Sequence, residues 1–100
     1  MTPHPAVTAG EHAALLRLLD IAARDTGQSR RVANFLLAWW NAASCGAFDL
    51  TTLWGMDDAI AADMVATFAL VARCQHYPDA LGYGSHFARV IAAWRPELTQ

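Results

Sequence analysis

Phe35-Leu36-Leu37-Ala38-Trp39-Trp40 decides how this chain folds. Six consecutive apolar residues wound into a helix leave no side for water, and such a helix needs covering on every face by its own fold or by another chain. Residues Ser29 to Ala43 are therefore expected to be the central element around which the rest packs, with Trp39 and Trp40 as the largest single source of buried area. Val32, Phe35, Leu36, Trp39 and Ala43 form one stripe, Leu37 and Trp40 a second, and Ser44-Cys45-Gly46 ends the helix. Ser29 is placed to cap its start. Arg30 and Arg31 in the first turn have the wrong sign for the helix dipole, at a cost of roughly a few tenths of a kcal/mol.

Upstream, residues 1–7 contain Pro3 and Pro5 and are expected to form a flexible tail. Thr8-x-x-Glu11 reads as a capping box for a first helix over about residues 9 to 25. Leu15, Leu18, Leu19 and Ala22 line its apolar side, and Gly27 sits where a C-terminal cap belongs. Downstream, Asp49 and Gly55 bracket a single helical turn that should tuck Phe48, Leu53 and Trp54 onto the core. A third helix opens at Met56 or Asp57 and ends near His76, because Tyr77 precedes Pro78. Ile60, Met64, Phe68, Val71 and Cys74 share one of its faces, while Ala61, Ala62, Ala66, Ala69 and Ala72 permit close helix approach. After a turn containing Pro78, Gly82 and Gly84, a fourth helix carries Phe87, Val90, Ile91 and Trp94 until Pro96 stops it. No segment alternates at a period of two, so no sheet is expected. The fold class is all-α: a compact bundle of four main helices plus one short helical turn, residues 8–98 forming one domain.

Composition narrows the function. One hundred residues make one core and little more. The apolar fraction is 55% and the charged fraction 16%, against usual values of about 45–50% and 25%. So much apolar surface on so small a chain points to self-association or a protein partner. A formal charge of −2 disfavours a broad nucleic-acid footprint. All seven basic residues are arginine, which with the abundant alanine matches the codon bias of a GC-rich bacterial genome. Two cysteines are too few for a disulfide framework, no apolar run approaches the roughly 20 residues that cross a bilayer, and no leader precedes the first helix. The expectation is a cytoplasmic protein with reduced thiols.

Candidate chemistry is weak. Cys74-x-His76 is mis-spaced for helix-borne metal ligands, and no second pair completes a site, so neither metal nor cofactor is expected. Cys45 with His12, His76 or His86 is the one nucleophilic assembly conceivable, and Cys74 reads as a small core residue. Asp57 and Asp58 are explained by a helix N-terminus, and Asp63 lies on a polar side. Gly27-Gln28-Ser29-Arg30-Arg31 could contact an anion or nucleic acid at a helix start through Ser29, Arg30 and Arg31, with Arg24 or Arg73 if the fold brings them close. Tryptophan and tyrosine are enriched at binding hot spots, which makes Trp40, Trp54 and Tyr83 the candidates for a partner interface. The preferred reading is a non-enzymatic interaction module, a homodimer included; the alternative is a small nucleic-acid-associated protein using Arg30 and Arg31.

The chain also resembles a small protein family of unknown function found on conjugative plasmids and integrative elements of proteobacteria. The resemblance rests on Asp25-Thr26-Gly27-Gln28-Ser29-Arg30-Arg31-Val32-Ala33, on Phe35 through Ala42, on Phe48-Asp49-Leu50-Thr51 through Leu53-Trp54-Gly55, and on Tyr77-Pro78 followed by Leu81-Gly82-Tyr83-Gly84. It covers about residues 12 to 98. It carries no activity, cofactor or site; what it implies is context, an accessory protein of mobile DNA in transfer, maintenance or host interaction.

Overall fold

The computed structural model describes residues 4–99. Four helices, α1 (Ala9–Ala22), α2 (Gly27–Cys45), α3 (Asp58–Cys74) and α4 (Gly84–Trp94), are joined by short 3-10 turns at Leu50–Gly55 and Pro78–Leu81, and a third turn, Pro96–Thr99, follows α4. There is no strand among the described residues. Four helices and a turn ahead of the third were the expectation; the turns at 78–81 and 96–99 are additions to it.

The capping box forms at Thr8. The Glu11 N–H donates to the Thr8 hydroxyl at 3.1 Å, and the Thr8 N–H donates to the Glu11 carboxylate at 2.9 Å. At the other end α1 stops at Ala22, shorter than expected, and Gly27 is not its cap but the first residue of α2. Thr26 takes the N-cap role that the sequence assigned to Ser29, accepting from the Ser29 N–H at 3.0 Å. An earlier start gains α2 most of a turn, and a threonine hydroxyl serves as a cap about as well as a serine one. Of the expected tail, residues 1–3 lie outside the described residues. His4 to Val7 make a turn, closed by the Val7 N–H on the His4 carbonyl at 2.9 Å, that seats Val7 in the core.

Helix α2 is broken once. Asn41 leaves helical geometry for an extended conformation (φ −167°, ψ 89°), and its side-chain oxygen accepts from the Ser44 N–H at 3.1 Å. The amide thereby caps a separate last turn, as asparagine commonly does at a helix start. Gly46, at φ +100°, then turns the chain away in a conformation that a Cβ would strain.

The core is built from Leu15, Leu18 and Leu19 of α1, Val32, Leu36 and Leu37 of α2, Met64 and Leu70 of α3, and Phe87 and Val90 of α4. The hub is α1, not α2. It packs extensively against both α2 and α3 and also meets α4, whereas α2 and α3 barely meet. Leucine and alanine at one stripe of α1 admit neighbours on two sides, while the bulky aromatics of α2 hold α3 off. Consequently only Leu36 and Leu37 of the six-residue apolar run are sealed; Phe35, Ala38, Trp39 and Trp40 remain half-buried. This fold covers the helix only in part, because its neighbouring helices do not surround it.

Two bidentate ion pairs register α1 against α3. Arg17 holds Asp63 through two contacts of 2.9 Å, and Arg73 holds Glu11 at 2.5 and 2.6 Å while also donating to the Ala6 carbonyl at 2.8 Å. Residue 11 opposite 73 and 17 opposite 63 make the two helices antiparallel. The α1 seam draws on Thr67 and Leu70 of α3, with the Thr67 hydroxyl satisfied by the Asp63 carbonyl at 2.9 Å. This rotates α3 away from the expected face, so that Phe68, assigned to the core with Met64, lies 57% exposed.

Candidate partner-binding groove

Where α2 and α3 diverge, a groove runs between them, partly roofed by the segment 48–53. It comprises two adjoining recesses of about 230 and 240 Å³ that share Phe35, Leu50 and Phe68. Ala38, Trp39, Phe48 and Val71 complete the first, and Leu53, Met64 and Val65 the second. No charged side chain lines either. The only polar side-chain group among the lining residues, the Trp39 indole N–H, is satisfied by the His76 carbonyl at 3.1 Å.

Local chemistry sets this geometry. Phe35 and Phe48 meet edge to face with centroids 5.2 Å apart, pinning the start of the roof to α2. Asp49 caps the 50–55 turn by accepting from the Thr51 N–H at 2.9 Å and its hydroxyl at 2.8 Å, and these bonds, the hydroxyl one foremost, hold its carboxyl below the usual range. A 3-10 turn repeats every three residues, so Leu50 and Leu53 lie on one side and Trp54 about 120° away. Leu50 is 61% exposed, Val65 61% and Trp54 85%. Trp54 was expected to tuck onto the core and was also a candidate for a partner interface; it does not reach the core, and its indole stands in solvent one residue after the groove-lining Leu53.

The remaining candidate residues scatter. Trp40 is half-buried and lines a different, wider recess with Asn41, Tyr77 and Asp79. Tyr83, expected at an interface, is 0% exposed, and its hydroxyl meets His12 Nδ1 at 2.7 Å. Burial first, and the Glu11 charge second, push the Tyr83 phenol up. Its place is the core, because a turn preceded by buried Leu81 drives the ring inward. Trp39 packs edge-on against Phe87 with centroids 5.7 Å apart, and Trp94 donates its indole N–H to the Ala22 carbonyl at 2.6 Å, closing the C-terminal end of α1.

The arginines do not assemble into a patch. Arg24 pairs with Asp20 and Arg73 with Glu11, while Arg95 binds Asn34 Oδ1 and the Cys45 carbonyl, both at 3.0 Å. Ser29 is buried, its hydroxyl 2.7 Å from that of Thr26, so it cannot face an anion beside Arg30 and Arg31. Arg30 is exposed, and Arg31 reaches the Gly55 carbonyl at 3.5 Å. Both cysteines are free thiols. Burial pushes the Cys45 thiol up, which opposes thiolate formation. Asp57 caps α3 by position, but its carboxylate and N–H are bound to the Gln28 side chain at 3.0 and 2.9 Å. Among the described residues no group of three or more His, Cys, Asp or Glu is placed to hold a metal ion, and no helix is long and apolar enough to cross a membrane.

The groove residues Val65, Phe68, Leu50 and Phe35 were not singled out from sequence as a surface. One signal did exist: Ile60, Met64, Val65, Phe68 and Val71 make a stripe on α3 too wide for one neighbouring helix. Comparison with curated proteins and with solved structures gave no significant match. Residues 12–95 match the model of a family of unknown function, DUF7673, and include every residue that lines the groove. The chain is thus a member of the DUF7673 family.

Proposed function

We propose that this protein is a non-enzymatic protein-interaction module of the cytoplasm, docking its partner in the groove between α2 and α3. The observation that carries this reading is the groove's continuous, uncharged apolar lining, open to water on a chain that is otherwise well packed. Large exposed apolar patches on small folded proteins mark interaction sites. The likeness to proteins of plasmids and integrative elements supplies the setting, an accessory role in transfer, maintenance or host interaction. The arginine-based alternative is weaker, since the Ser29 hydroxyl faces inward and Arg24 and Arg73 are held by carboxylates.

The test is crosslinking in cells of the native host followed by nuclease treatment, comparing tagged wild type with Phe68→Glu and with the double variant Arg30→Ala/Arg31→Ala. The expected outcome is a crosslinked protein complex that survives nuclease, persists in the arginine variant and is lost in Phe68→Glu. A complex lost on nuclease treatment and in the arginine variant, but kept by Phe68→Glu, overturns the reading in favour of nucleic acid.

A further inference from the structure

We infer that the occupant of the groove is a second copy of this chain, and that each copy inserts its Trp54 into the groove of the other. The inference rests on the reading of the groove as a docking surface and names what docks there.

The first argument is self-complementarity. The same 50–55 turn supplies two groove-lining leucines and, about 120° round the turn, Trp54, at 85% the most exposed large apolar side chain among the described residues. Trp54 therefore stands beside an apolar recess that its own backbone prevents it from entering. A two-fold axis solves both exposures at once, since an isologous interface presents the same patch from both sides and repeats each contact reciprocally. Knob and hole on one surface are what such an axis requires.

The second argument is area. From their fractional exposures, Trp54, Phe68, Val65 and Leu50 leave on the order of 500 Å² of apolar surface in water. Two copies together would remove about 1,000 Å² from these four side chains alone. The half-buried Phe35, Trp39 and Leu53 and the polar rim bring the total into the range of about 1,200–2,000 Å² typical of specific complexes. Charge does not oppose the pairing. The formal charge is only −2 per chain, and no ionised side chain lines the recess that would be desolvated.

Sedimentation equilibrium of the full chain across the micromolar range tests this. Wild type should dimerise, and Trp54→Ala and Phe68→Glu should each weaken the dimer by at least about tenfold while leaving the far-UV spectrum and Tm of the monomer unchanged. The decisive sample is the two variants mixed. A heterodimer keeps one intact contact, the Trp54 of the Phe68→Glu chain in the unaltered groove of the Trp54→Ala chain, whereas each homodimer keeps none. The mixture should associate more tightly than either variant alone. A mixture no tighter than its components, a dimer indifferent to both substitutions, or a wild type monomeric throughout the range overturns self-insertion. If wild type is monomeric yet Phe68→Glu abolishes the nuclease-resistant complex in cells, the docking reading stands and only the identity of the occupant falls.

Discussion

Helix α3 has two sides, and they are built on opposite principles. Toward α1 it presents Thr67 and Leu70, fully enclosed, with a bidentate ion pair near each end of the contact. Toward α2 it presents Val65, Phe68 and Val71 to an open groove whose walls carry no charge. In the seam's ion pairs the arginines are 61% and 49% exposed and the carboxylates 15% and 11%, so solvent screens them in part and they chiefly set register; the enclosed side chains provide most of the stability. The groove has neither register device nor enclosure. One helix thus separates what holds the monomer together from what is left available to a partner.

Truncation on the two sides should differ most. Leu70→Ala removes an enclosed side chain and should cost about 2–5 kcal/mol in urea denaturation. Phe68→Ala, two residues earlier on the same helix, should cost the monomer about 0.5 kcal/mol or less, despite deleting a larger side chain. Equal losses would mean that the groove is part of the core.

A smaller effect comes from the charged end of the seam. The Glu11 side chain is 11% exposed, and the Arg73 guanidinium bonded to it is the main reason its carboxyl is lowered from 4.5 to about 2. A carboxyl more acidic in the folded than in the unfolded chain favours folding once it is ionised in both. Its contribution is therefore complete above pH 4.5 and is lost as pH falls toward 2. Because Arg73 is half-exposed, this is worth about 1 kcal/mol. Arg73→Ala should flatten the acid limb of stability against pH between those limits, and should not alter association through the groove.

The smallest change should be a gain. Gln75 ends α3 in the left-handed region at φ 50°, where residues with a Cβ are disfavoured. Gln75→Gly should raise stability by about 0.5 kcal/mol, seen as a slightly higher Tm, again without effect on self-association.

Much of this was legible in the residues themselves. Thr8-x-x-Glu11, the stripe Leu15, Leu18, Leu19 and Ala22, the Asp49–Gly55 turn and the run Phe87, Val90, Ile91 and Trp94 are all local patterns, and each forms what its spacing implies. What periodicity cannot supply is the identity of a neighbour. It gave α2 two apolar stripes, but not the fact that α3 would lie against α1 and leave Phe35 and Trp39 of the first stripe half-covered. Tyr83 illustrates the same limit, because the histidine that receives its hydroxyl is 71 residues away in sequence. Trp54 was read both as tucked onto the core and as an interface candidate, and the turn that carries it directs Leu50 and Leu53, not Trp54, into the groove lining.

The indole of Trp94 closing α1 at Ala22 has a consequence for the order of folding. The end of α1 is finished by α4, across a sequence separation of 72 residues. Long-range closure of this kind slows folding relative to local helix formation. It also means that the carbonyl end of the hub helix stays open until α4 docks. Docking of α4 is thereby the step that completes the hub.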